Sequence, residues 1–373
     1  MGTAYTPGLK VTSWATIRKT RRLPLKGEVT VKVGDTVQPD TVIARTELPG
    51  IMQTVRVAEI LGVEASEVES ALRVSVGDQV QRGTILAETK SFFGLLKNEC
   101  KSPIDGTVEL VSPISGHVGI RYKPTPVEVK AYIQGKVVEV LPEEGVVVET
   151  GGAFIQGIFG VGGERLGEIK LIATKPDQVV REDQITEELA GKVIVAGSNI
   201  TGDALRRAAE VGVAGVVVGG IIDKDLISYL GYDIGVAITG QEKIPTTLIV
   251  TEGFGIMKMA HRTFELLKSL EGQTASINGA TQIRAGVIRP EIIVPSARPK
   301  KAVSGREDEQ SLDLGKKIRL IREPHFGLLG KVTALPPEPV LIESGAKVRI
   351  LEAELETGEK VSVPRANVEI IQE

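Results

Sequence analysis

Alternation of apolar and polar positions dominates the first third of the chain. VKVGDTV at residues 31–37 and VSVGDQV at residues 74–80 place valine at every second position, and each is followed by a short apolar run, TVIA and then TILA. A period of two puts the valines on one face of a strand, and Gly-Asp supplies the tight turn before the next strand. The recurrence marks a duplicated supersecondary unit, read as two halves of one β-module. Between the copies, Ala58, Leu61, Val63, Val68 and Leu72 fall at approximate helical spacing and Glu64, Ala65, Ser66 and Glu67 open a helix, which predicts a small helical insertion over residues 55–72.

From about residue 151 the period changes. KVIVA at 192–196 reads as a buried strand, GDALRRAAEV at 202–211 as an amphipathic helix and AGVVV at 214–218 as the next strand. Fully apolar strands in β-α-β order imply a parallel sheet covered by helices. A helix at 225–230, a strand at 247–250, a long helix at 256–270 and closing strands at 283–287 and 291–294 extend the pattern, with Asn278-Gly279 as a turn signal. The strands end in Gly197, Ser198 and Asn199, in Gly219 and Gly220, and in Thr251, Glu252, Gly253, Phe254 and Gly255. Open parallel sheets bind ligands outside the carboxyl ends of their strands, where helix N-termini offer free N–H groups. These loops are therefore candidate ligand contacts, although glycine is also ordinary in strand-to-helix turns and Ser198 or Asn199 is equally suited to capping a helix.

Residues 296–313 lack periodicity and mix charges with Pro and Gly, as a linker does. Beyond them, short strands are expected at 317–321, 347–353, 360–363 and 368–371.

A length of 373 residues is too great for one core. The expected organisation is multidomain and β-rich with an α/β centre: residues 1–150, 151–295, the linker, and 314–373. With 42 glycines and only 3% aromatics, tight turns and aliphatic cores are expected. The net charge of -3 offers no global attraction for nucleic acid or anionic lipid. The single cysteine, Cys100, suits a reducing compartment. The basic stretch of Arg18, Lys19, Arg21 and Arg22 is followed by no apolar core, and the longest apolar run falls well short of the roughly 20 residues a spanning helix needs. No signal peptide or membrane span is expected, and the expected location is the cytoplasm. No phosphate loop, nucleophile elbow or zinc-type Cys/His spacing occurs, and His117, His261 and His325 lie in separate segments. Asp223, Asp225 and Glu252 sit at helix starts, where carboxylates complement the dipole. The chain is accordingly read as non-catalytic, with no cofactor and no metal.

Resemblances to known families sharpen this. The second copy, continued by Ser102-Pro103-Ile104-Asp105-Gly106-Thr107-Val108, resembles the biotinyl/lipoyl domain family over roughly 45 residues, and the wider layout is similar to the barrel-sandwich module in the C subunit of the Rnf electron-transport complex. Gly135-Lys136-Val137-Val138-Glu139-Val140 echoes it and closes the module. The resemblance implies a barrel-sandwich hybrid and singles out Lys90, within Glu88-Thr89-Lys90, as the position a lipoyl or biotinyl group would take; the missing aspartate and the long following loop favour an ordinary lysine. Phe92 and Phe93 in that loop are either a partner-binding tip or barrel packing. The central part is comparable at fold level to a swivelling α/β domain. Its residues 211–220 are locally similar to phosphate-binding strands of (β/α)8 barrels. In the last segment, Pro324-His325-Phe326-Gly327-Leu328-Leu329-Gly330 resembles the turn of the KOW motif found in transcription factor NusG and several ribosomal proteins. That resemblance implies a small KOW-type β-barrel over residues 314–373 and a macromolecule-binding face from Arg319, Arg322, His325, Phe326, Gly327, Lys331 and Arg365, for protein rather than RNA because acidic residues balance the basic ones. The expected function is a non-catalytic adaptor or assembly subunit with a protein partner. An accessory subunit of a redox or carrier-type complex and a ribosome- or polymerase-associated RNA-binding factor are the alternatives, and homo-oligomerisation is open.

Overall fold

The structure, a computed structural model, describes residues 9–91, 96–232, 244–281, 288–297, 312–320, 324–325, 327–341 and 347–370. It is β-rich, with 47% strand against 15% helix. Phe92, Phe93, Arg322 and Phe326, and the strand expected at 283–287, lie outside the described residues.

The N-terminal region contains β1 (Val11–Arg22), β2 (Glu28–Val29), β3 (Thr36–Val37), β4 (Val42–Leu48), β5 (Met52–Val55), α1 (Val57–Leu61), α2 (Val68–Ala71), β6 (Gln79–Val80), β7 (Ile85–Ser91), β8 (Leu96–Lys101), β9 (Gly106–Ser112), β10 (His117–Arg121), β11 (Thr125–Lys130), β12 (Gly135–Leu141) and β13 (Gly145–Gln156). The repeated motifs do not form two halves of one module; each copy builds a complete unit, one nested inside the other. The inner unit pairs β5 with β10, β10 with β9, β9 with β6 and β7 with β8. The outer unit makes the same pairings with β1 on β13, β13 on β12, β12 on β3 and β4 on β11.

The correspondence reaches single bonds. Asp35 Oδ2 accepts from Lys32 N and Asp78 Oδ2 from Ser75 N, both at 2.8 Å. Gly34 and Gly77 hold φ of 100° and 101°, a region closed to most side chains. Each copy carries a bulge at the same place, between Val137 and Glu139 in β12 and between Val108 and Leu110 in β9. The inner unit has its own core of Val55, Val80, Leu86, Cys100, Val108 and Ile120, and the outer unit has another of Val37, Ile43, Ile133, Val137 and Val148. The reason for two cores is topological: the inner unit is inserted in the connection between β4 and β11, so each motif finds its partners within its own copy.

The predicted helical insertion is present as α1 and α2, joined by a short 3-10 turn at Ala65–Glu67 whose Glu67 carboxylate accepts from Glu64 N at 3.2 Å. The basic stretch is part of the fold. It lies in β1, and Arg18, Lys19, Arg21 and Arg22 pair with Glu149, Glu291, Glu164 and Glu144.

The central region comprises β14 (Phe159–Val161), β15 (Glu164–Leu171), β16 (Val179–Val180), β17 (Val193–Val195), β18 (Asn199–Ile200), α3 (Gly202–Val211), β19 (Gly215–Ile221), α4 (Asp223–Leu230), β20 (Thr247–Phe254), α5 (His261–Ser269), β21 (Thr274–Asn278) and β22 (Glu291–Pro295). The expected parallel sheet is formed by β15, β17, β19 and β20. It continues through β21 and β22 into β13 and β12 of the outer unit, making one eleven-stranded sheet. The expected division at residue 150 therefore falls inside β13. Alternate residues of β22 serve different cores: Ile292 and Val294 face the α/β core, and Ile293 faces the core of the outer unit.

The last region contains β23 (Lys317–Leu320), β24 (Leu329–Ala334), β25 (Val340–Leu341), β26 (Lys347–Val348), β27 (Ile350–Leu355), β28 (Lys360–Pro364) and β29 (Val368–Ile370). Five of these form an antiparallel sheet in the order β28-β27-β24-β23-β29 around a separate core of Ile318, Leu320, Val332, Leu351 and Val368. Among the described residues, no helix is long and apolar enough to cross a membrane.

Candidate functional site

The glycine-rich turns at the carboxyl end of the parallel sheet do converge, and the chain itself fills the space beside them. A Cβ on Gly197 would lie 2.4 Å from the Gln178 carbonyl oxygen, one on Gly219 2.3 Å from the Met257 oxygen and one on Gly220 2.2 Å from the Gly255 oxygen. These residues are glycine because backbone crosses directly above them. Residues 255–260 run as an extended strap over Gly219 and Gly220, where a helix was expected from residue 256, tied by Gly255 N donating to Ile221 O at 2.8 Å and Met259 N to Pro176 O at 3.0 Å. Gly255, at φ 95°, permits that bend.

Ser198 and Thr251 of these loops are engaged within the protein. Ser198 Oγ donates to Asp177 O at 2.8 Å and Thr251 Oγ1 to Val218 O at 3.3 Å. Asn199 is buried in β18, and its Oδ1 has no hydrogen-bond partner. The helix N-termini are met by internal carboxylates, as the dipole favours. Gly202 N at the start of α3 donates to Asp225 Oδ1 at 2.9 Å, and Ala260 N just before α5 donates to Glu252 Oε1 at 3.0 Å.

Glu252 also joins this sheet edge to the C-terminal unit. Its Oε2 accepts from Arg319 Nη2 at 3.1 Å, and Arg319 Nη1 donates to Glu369 Oε1 at 2.9 Å. Arg289, just before β22, pairs with Glu369 Oε2 at 2.8 Å. Arg319 and Glu369 are 3% and 2% exposed, which decides their role: neither is available to an outside ligand. Gly327, at φ 82°, packs against the Phe254 ring with 3.2 Å separating the ring from its would-be Cβ, and Phe254 in turn meets Phe159 with ring centroids 5.1 Å apart. The turn expected to bind a ligand and the turn expected to bind a macromolecule thus cover one another.

Arg319 is therefore corrected from a surface contact to an internal tie, because β23 turns it toward the α/β region with Glu369 of β29 beside it. Arg365 is half-buried and spends its guanidinium on Ile350 O at 3.0 Å and Pro336 O at 2.8 Å. His325 is half-buried, and its carbonyl accepts from Leu328 N at 3.1 Å. Lys331 is exposed, in a cross-strand row with Lys317, Glu354 and Lys360, so this row places three lysines and one glutamate on the outer face of the sheet, with Glu352 exposed two positions from Glu354. Lys90 is placed in β7 opposite Lys97, one residue before the strand ends.

Arg289 and Glu369 were not visible to sequence reasoning. Glu369 stands in a short V-E-I alternation that reads as a solvated face, and only the docking of two units buries it. No protein-family model matches this chain, and no match to it was found among curated proteins.

Proposed function

We infer that the chain is a non-catalytic adaptor or assembly subunit, in which barrel-sandwich units of biotinyl/lipoyl type and a KOW-like barrel serve as docking modules for a protein partner. The observation that carries this reading comes from the internal duplication, which acts as its own control. Where the outer copy has Arg18 and Glu139, the inner copy has Met52 and Leu110, flanking Gly119 on an exposed sheet face. The same fold is built with polar residues at these positions in one copy and apolar residues in the other. The apolar pair is thus not a requirement of folding. Exposed apolar side chains gathered on one face mark interaction surfaces, and Ile51 at 80% and Tyr122 at 44% exposure adjoin them.

The nesting supports the same reading. The outer hairpin carries a whole second unit where a carrier domain would carry its lysine, which suits a scaffold better than a swinging arm. The exposed Glu352, Glu354, Glu356 and Glu359 offset the basic residues of the C-terminal unit, which supports protein docking over RNA, whose affinity rests on uncompensated basic charge. The test is cross-linking and co-purification of the full chain from its native extract, beside Met52→Asp with Leu110→Asp. A discrete partner that cross-links to the wild type and is lost with the double variant is expected. A chain that sediments alone, or one whose intact mass includes a lipoyl or biotinyl group on Lys90, would overturn the adaptor reading, and the second outcome would favour an accessory subunit of a carrier-type complex.

A further inference from the structure

We propose that the C-terminal unit is a releasable cap on the carboxyl end of the parallel sheet, docked through a buried charge network and able to separate without disturbing either core. The network runs Arg289–Glu369–Arg319–Glu252 across the boundary. Among the described residues, none is shared between the core of the C-terminal unit and that of the α/β region, so each keeps its own core on separation. The contact joining them is ionic at its centre. Among the described residues it rests, beside the ion pairs, on the approach of Gly327 to Phe254 and Gly253. Permanent interfaces are dominated by apolar burial, whereas buried ion pairs recover their desolvation cost only with every donor satisfied. Here Arg289 Nη1 and Arg319 Nε are buried with no hydrogen-bond partner. A contact that leaves donors unfilled is held near balance.

The same carboxylate transmits the docked state. Glu252 gives one oxygen to Arg319 of the cap and the other to Ala260 N, at the end of the strap that lies over Gly219 and Gly220. When Arg319 withdraws, Glu252 is left without its counter-charge, and the end of the strap at Ala260 is then held by a carboxylate the cap no longer fixes in place. The cap therefore controls access to the edge of the sheet where parallel-sheet proteins commonly bind ligands. This inference does not depend on the adaptor reading.

Spin labels at Glu210→Cys on α3 and Ser362→Cys on β28 of the full chain report the cap position by pulsed electron resonance, the native Cys100 being buried. The wild type is expected to give a main short distance and a minor long one. Glu252→Gln and Glu369→Gln are expected to raise the long population at least about fivefold. Amide exchange on the unlabelled wild type covers the case in which a variant fails to fold: Ala260 N is expected to exchange at least about a hundredfold faster than the amides of β19. A single distance unaltered by both variants, or equal protection of Ala260 and β19, would show the cap to be a fixed part of one body.

Discussion

At the scale of single residues, several polar and glycine positions owe their identity to neighbours far away in the chain. Gly219 and Gly220 are glycine because Met257 and Gly255 cross them, and Glu369 is tolerated in a core because Arg289 and Arg319 flank it. Gly34 and Gly77 differ, since their turns follow from the local Gly-Asp pattern and were legible without the fold. Cys100 carries a pH dependence. Burial pushes its thiol above the ordinary value of 9.0. Below that value the folded and unfolded chains both keep the proton; above it the unfolded chain releases a proton that the folded chain retains, so stability falls as pH rises. Burial moves Tyr229 the same way, and Tyr132, further raised by Glu291 and Glu164, moves well up, extending the loss to higher pH. Denaturant midpoints recorded from pH 7 to 10 are expected to fall, and to fall less steeply in Cys100→Ala.

At the scale of elements, the nested duplication sets what can be removed. The inner unit enters and leaves the outer hairpin at one point: Tyr122 N donates to Ile51 O at 3.0 Å, and Arg121 Nη1 to Gly50 O at 2.7 Å. Its core is separate from that of the outer unit. Replacing residues 50–122 by a short turn is expected to leave the outer unit and the α/β region folded, and residues 49–124 alone are expected to give a cooperative thermal transition. Loss of all structure in the shortened chain, read by circular dichroism, would refute the independence of the two units. The length of α5 gives a contrasting case. Ile256 and Met257 extend an apolar run that reads as helix, yet Glu252 places a carboxylate at Ala260 N and the helix starts there. A capping side chain eight residues upstream is invisible to a periodicity argument.

At the scale of the whole molecule, the continuous sheet makes the outer unit and the α/β region one body. Strand β22 buries Ile292 and Val294 on one side and Ile293 on the other, each with almost no exposure. Ile293→Ala removes buried volume from the outer core alone, at a cost of about 1–4 kcal/mol by analogy with other large-to-small core changes. Hydrogen exchange is expected to register that loss equally in β4 and β17, because the strand that carries it is common to both cores, and not at all in β27. Protection lost only in the outer unit would mean that the sheet does not couple them.

The sequence by itself determined the local chemistry: the repeated Gly-Asp turns, the β-α-β rhythm of the centre, the small helical insertion and the β-rich character of the last segment. Each is encoded within about ten residues, where alternation, turn propensity and helix period act directly. Only the tertiary structure decided that the two repeats are separate nested units, that one sheet passes through residue 150, and that the two suspected binding turns close upon each other. Strand pairing and the pairing of buried charges join residues scores to hundreds of positions apart. One-dimensional spacing carries no signal for them, because every valine alternation leaves its partner strand open and every lone Glu or Arg reads as solvated until another surface is laid over it.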